Sequence, residues 1–74
     1  MEFRYSKLRG RIVEKCGSIT AFSEKIKISR AALNNKLSNR TDISREDIIE
    51  WSTILEIEPK DYASYFFDIK VNTL

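Results

Sequence analysis

Histidine is absent from this 74-residue chain, and cysteine occurs once, as Cys16. A single thiol excludes an internal disulfide, and without histidine no His/Cys metal cluster can be assembled. Cys16 stands late in an amphipathic pattern and reads as a small core or boundary residue. Glycine appears twice and proline once, so there is no Gly-rich phosphate loop and no flexible or Pro-rich linker. No apolar run is long enough to cross a bilayer, and the opening MEFRYSKLRGR lacks the apolar stretch of a signal peptide. These absences predict a cytoplasmic protein with no membrane partner, no cofactor, no metal and no small-molecule substrate. They also argue against an enzyme. No nucleophile has a base close to it in sequence, and the carboxylate pair Glu46-Asp47 stands where acids simply favour a helix start.

What remains is small, apolar enough to fold, and unevenly charged. Hydrophobic residues make up 42% of the chain, and the length predicts one domain near the lower limit for folding without a staple. The net charge of +2 hides a split. Residues 1–40 hold ten basic and three acidic residues, whereas residues 41–74 hold three basic and eight acidic ones. That asymmetry suggests a half that faces a polyanion and a half turned elsewhere.

Periodicity predicts five helices. The first covers Ser6–Cys16, with Ser6 as cap, Leu8, Ile12 and Val13 as the core stripe, and Gly17 ending it. Gly10 inside it costs about 1 kcal/mol against alanine and is either a site of close helix approach or merely tolerated. The second covers Ser18–Ile26, with Phe22 and Ile26 on one face. The third covers Ser29–Leu37, with Ala32, Leu33 and Leu37 on one face. Ser18 and Ser29 stand where N-caps are wanted, and Ile28 should lie in the angle between these two helices. Ser44 starts the fourth helix, with Asp47 completing a capping box. Ile48, Trp51, Ser52 and Leu55 follow at helical spacing, and Ile57 packs behind the helix end. Glu58-Pro59 opens a fifth helix over Pro59–Phe66. Phe3 and Tyr5, and later Phe67, Ile69 and Val71, alternate with polar residues as strands do. These ends can pair within one chain, or the C-terminal strand can pair with its copy in a second chain.

The segment SITAFSEKIKISRAALNNKLSNR (Ser18–Arg40) thus reads as two short helices joined by a three- or four-residue turn, a helix-turn-helix. Over about Ser6 to Phe66 the chain resembles the phage repressor and Cro type of protein, the lambda-repressor-like five-helix domain. Phe22, Ile26, Ile28, Leu33 and Leu37 fall on that family's apolar positions, and Ile48–Ile57 looks like its fourth helix. More narrowly, YSKLRGRIVEKCGS and YFFDIKV look like small uncharacterised phage and prophage proteins of Gram-positive bacteria. Three residues depart from the broader pattern. Ile19 stands where a glutamine often ties to the DNA backbone. Ser23 replaces a common alanine, and its hydroxyl can bond back to the helix. Lys27 replaces a glycine that often takes positive φ.

The resemblance implies a sequence-specific regulator that binds double-stranded operator DNA, acting as a homodimer through the fifth helix or the tail. Arg30 and Asn34 are the expected base readers, followed by Asn35, with Ser29 and Ala31 also able to enter the groove. Ser18, Thr20, Lys36, Ser38, Asn39 and Arg40 flank them as candidate backbone contacts. The rival expectation is the same fold turned to binding another protein, such as a repressor or host factor. In that case the affinity should lie on the acidic or aromatic surface of residues 58–74, where Tyr62, Tyr65, Phe66 and Phe67 cluster. Phe66 and Tyr62 are expected in the core, and at least one of the others at an interface.

Overall fold

A computed structural model describes residues 2–71. Five α-helices follow one another: α1 (Ser6–Cys16), α2 (Ile19–Lys25), α3 (Arg30–Leu37), α4 (Arg45–Leu55) and α5 (Tyr62–Phe66). The fold is all-α and five-helical, as expected. α1 is the central element and packs against α2, α4 and α5, while α3 packs on α2.

Local chemistry explains where the helices start. The hydroxyls of Ser18 and Ser29 accept from the amides of Ala21 and Ala32, each at 3.0 Å. Ser44 and Asp47 form the reciprocal capping box, the Ser44 hydroxyl accepting from Asp47 N–H and the Asp47 carboxylate from Ser44 N–H. Each such cap satisfies donors that a helix start leaves orphaned. α1 differs from expectation. Tyr5, not Ser6, occupies the cap position, and it makes no side-chain cap bond. Burial of the Tyr5 ring in the core holds that end instead.

The first four helices end in one way, on a residue with positive φ: Gly17, Lys27, Asn39 and Glu56. After α2, the Lys27 amide donates to Glu24 and the Ile28 amide to Ser23. After α3, the Asn39 amide donates to Lys36 and the Arg40 amide to Asn35. Both are the paired closures that satisfy the last carbonyls of a helix. Lys27 therefore takes the left-handed conformation directly, at φ 60°, in the place where a glycine would do so without steric cost.

The core gathers Tyr5, Leu8, Ile12, Phe22, Ile26, Leu33, Leu37, Trp51, Leu55, Ile57 and Phe66. At its centre the Phe22 and Trp51 rings meet edge to face, 5.3 Å between centroids. Such a pair adds about 0.5–1.5 kcal/mol beyond the area buried. Ile28 is half-buried against this core, and so is Cys16. The Ser23 hydroxyl is buried and donates to the Thr20 carbonyl at 2.6 Å, the back-bond anticipated for it. Three expectations fail. Val13 is 49% exposed, because α1 turns Leu8 and Ile12 inward and leaves their neighbour on the rim. The predicted helix Pro59–Phe66 is split into a 3₁₀ turn at Pro59–Asp61 and the short α5. The two terminal strands are reduced to one antiparallel bridge, Phe3 to Ile69, made within one chain. Around it, Arg4 N–H donates to the Asp68 carbonyl at 2.6 Å and Lys70 N–H to Glu2 at 2.9 Å.

Candidate functional site

The residues proposed to meet DNA are divided by the structure into two groups. Arg30, Ala31 and Asn34 lie exposed along α3, with Thr20 exposed on α2 and Arg40 exposed beyond α3. The others have work inside the molecule. Ser18 and Ser29 cap helices, and the Ser38 hydroxyl donates to the Asn35 carbonyl. That same half-buried Asn35 accepts the Arg40 and Thr41 amides. Lys36 reaches from α3 to α4, where its Nζ lies 2.8 Å from Asp47 Oδ2 and 3.1 Å from the Asp42 carbonyl. Asn39 holds the N-terminal arm: its Oδ1 accepts Phe3 N–H at 2.8 Å, and its Nδ2 donates to the Phe3 carbonyl at 2.9 Å. These two bonds, with φ at 67°, place Asn39 as a structural residue.

The basic half of the chain is likewise spent largely on the fold. Arg11 on α1 donates to the carbonyls of Leu55 and Glu56 at 2.8 and 3.0 Å, and pairs with Glu14. Lys15 pairs with Glu56 at 2.8 Å. Together they close the C-terminus of α4, where cations complement the helix dipole. Arg9 reaches the last carbonyl of α3, at Leu37. Lys7 donates to Ser64 and lies 4.7 Å from the centroid of the Tyr65 ring. Lys25, Lys27, Arg30 and Arg40 are exposed and carry no ion pair with another described residue. Four of the ten basic residues of the first half, Lys7, Arg11, Lys15 and Lys36, thus bond to the second half.

Two carboxyls feel these bonds. Burial would raise Asp47, but hydrogen bonds from Lys36 and from Ser44, with the Lys36 charge, outweigh it and hold the acid below its ordinary value. Glu56 is lowered by its hydrogen bond to Lys15 and by that cation's charge.

The C-terminal surface carries three of the five large apolar residues exposed among the described residues, the others being Val13 and Ile49. Phe66 and half-buried Tyr62 meet edge to face at 6.0 Å, and Phe66 is in the core. Phe67, Ile69 and Val71 are 49%, 48% and 66% exposed, at strand spacing. Beside Phe67 lies a groove of about 420 Å³, lined chiefly by Phe3, Tyr5, Ile43, Ile48, Phe66 and Phe67, with Asp42 among its polar residues. Phe67 stands edge-on to Phe3 at 6.0 Å. Burial, and then the nearby Asp42 carboxylate, raise the Tyr5 phenol above its usual value. The groove joins the N-terminal arm, the α3–α4 turn and α5, so only its aromatic component was legible in sequence, as the cluster Tyr62–Phe67.

Among the described residues no group of three or more His, Cys, Asp or Glu is placed to hold a metal. No helix among them is long and apolar enough to cross a membrane. What the surface offers is a small helical scaffold with a groove of mixed apolar and polar lining. The chain belongs to the family described as Protein of unknown function (DUF739), whose model matches residues 1–69. It is similar to the modulator of repression (MOR) of the temperate bacteriophage TP901-1 from Lactococcus lactis, known from a solution structure. The two share 33% identity over 97% of each chain, with a TM-score of 0.82. No curated protein sequence matches.

This similarity corrects the functional expectation. Along nearly its whole length the chain is similar to a modulator of repression, and membership of the repressor and Cro family is not shown. The DNA-reading role, operator DNA as partner and the homodimer seated on it are set aside. The chain is not an enzyme, being similar throughout to a regulatory protein. The narrower likeness to phage proteins of Gram-positive bacteria agrees with a relative from a Lactococcus phage.

Proposed function

We propose that this chain is a phage-type regulatory protein that adjusts repression by binding a protein of the genetic switch. The whole chain acts as a single domain, inside the cell, and uses a helix-turn-helix fold of the lambda-repressor-like kind as an interaction module. The similarity to a modulator of repression over 97% of both chains carries this reading. Two structural facts support it. Lys36 and Asn39, which would flank a recognition helix, are engaged within the protein. Three exposed apolar residues, Phe67, Ile69 and Val71, stand together at strand spacing, away from α3 in sequence and on the acidic half.

The test mixes the purified chain with the repressor of the same phage or prophage, and with that repressor's operator. We expect a stable complex of the two proteins by size-exclusion chromatography with light scattering. We expect no footprint from the chain alone at low salt, where electrostatic DNA binding is strongest. A protected two-fold site given by the chain alone would overturn the proposal.

A further inference from the structure

We propose that the groove between the N-terminal arm, the α3–α4 turn and α5 receives a segment of the partner protein that carries a bulky apolar side chain next to a lysine or arginine. This inference rests on the protein-binding reading above and names the chemistry of what is bound. The groove holds about 420 Å³ and combines an apolar side with a polar one: Phe66 and Ile48 come from α5 and α4, with Phe3 and Phe67 beside them, and Thr41, Asp42 and Ser44 line the α3–α4 turn. Its size lies in the range of pockets that take a few side chains or a small molecule. Phe67 is half exposed yet braced against the Phe3 ring, so a partner would not have to order it. Pre-ordered aromatic side chains at the edge of a pocket are the usual anchors of protein interfaces. Ile69 and Val71 extend the apolar surface along the tail.

Charge selects the partner. Asp42 lines the groove and is exposed, and its carboxylate is not ion-paired with another described residue. Asp68 lies outside the groove, on the neighbouring surface that Lys7 shares. The neighbouring cation, Lys36, gives its charge to Asp47 and touches only the Asp42 backbone carbonyl. Aromatic and aliphatic side chains beside one unpaired carboxylate favour a segment with a cationic flank and disfavour an acidic one.

Two probes test the full-length chain by amide chemical-shift titration: a 12-residue amphipathic peptide of leucine and lysine, and its counterpart of leucine and glutamate. The lysine peptide is expected to shift Phe3, Asp42, Ile43, Ile48 and Phe67, and the glutamate peptide is not. Phe67→Ala should weaken that binding about tenfold. Asp42→Asn should weaken it about threefold, with the loss erased at high salt. Both side chains are at the surface, so a dispersed spectrum of each variant will confirm that it folds. Equal binding of the two peptides, no binding of either, or shifts centred on residues 25–34 would overturn the groove. Binding to the repressor separates this inference from the reading beneath it. A repressor complex unchanged by Phe67→Ala and Asp42→Asn refutes the groove and leaves protein binding intact. Selective peptide binding in the groove with no repressor complex supports the groove and refutes that choice of partner.

Discussion

Backbone conformation at single residues sets several local energies. Lys27 takes φ 60° where its side chain makes no bond to another described residue. A non-glycine residue in this region costs about 1–2 kcal/mol, and glycine avoids that cost but loses more entropy on folding. Lys27→Gly is therefore expected to raise stability by about 0.5–1 kcal/mol, measured by urea unfolding. Asn39 has the same geometry with the opposite consequence, because its amide makes two bonds to Phe3. Asn39→Gly relieves the backbone yet should still destabilise, by about 1–2 kcal/mol, through those lost bonds. Asn39→Ala should be worse than Asn39→Gly, and the reverse order would show that the left-handed backbone at this position costs little. Gly10 is the simplest case. A Cβ there meets nothing within 4 Å, so the residue is tolerated and not a point of close packing. Gly10→Ala should stabilise the chain by about 1 kcal/mol.

Helix ends carry the next layer of the argument. Arg11 ties α1 to the last carbonyls of α4 through a planar fork that a lysine cannot copy. Arg11→Lys and Arg11→Ala should both lower stability, by about 1–3 kcal/mol, since hydrogen bonds from a charged donor are lost or misaligned. At the other end of α4, Lys36, Asp47 and Ser44 act together. Asp47 is more acidic when folded than when unfolded, so its contribution is complete at neutral pH. It is lost as the pH falls below the ordinary carboxylate value and through the folded one. Glu56 titrates in the same direction. Acid unfolding curves of Asp47→Asn should accordingly be flatter than those of the parent between neutrality and about pH 3. The caps at Ser18, Ser29 and Ser44 were legible in sequence because donor and acceptor are three residues apart. The bonds of Arg11 and Asn39 were not, since they join residues 44–45 and 36 positions apart. Val13 was misplaced for a related reason. Of two adjacent apolar residues, the rotation of the whole helix against its neighbours decides which one is buried. Helix 5 was over-extended because Pro59 marks a start equally well for a 3₁₀ turn and an α-helix.

At the scale of the whole molecule, one cluster of buried side chains among the described residues gathers all five helices, with the one tryptophan among them. Trp51 is fully buried and packs edge to face on Phe22, in the same cluster as Leu8, Leu33 and Phe66. Its fluorescence and the far-ultraviolet circular dichroism should therefore lose their native values at one denaturant midpoint, and separated midpoints would reveal an independently melting part. At this scale sequence reasoning recovered the all-α fold but assigned it the wrong partner. A basic first half is compatible with DNA, yet part of it, Arg9, Arg11 and Lys15, is engaged at helix C-termini. Fold and charge composition alone do not distinguish the two uses. The Asn39 contact with the arm has a final consequence for behaviour in concentrated solution. In the bridge to Ile69, the hydrogen bonds to the tail come from the residues on either side of Phe3, so Phe3 turns its own amide and carbonyl outward. An outward pair of this kind is where a foreign strand would begin to add and a chain would begin to aggregate. Asn39 occupies both groups with one side chain, so it works as a stopper that keeps a short strand from recruiting another.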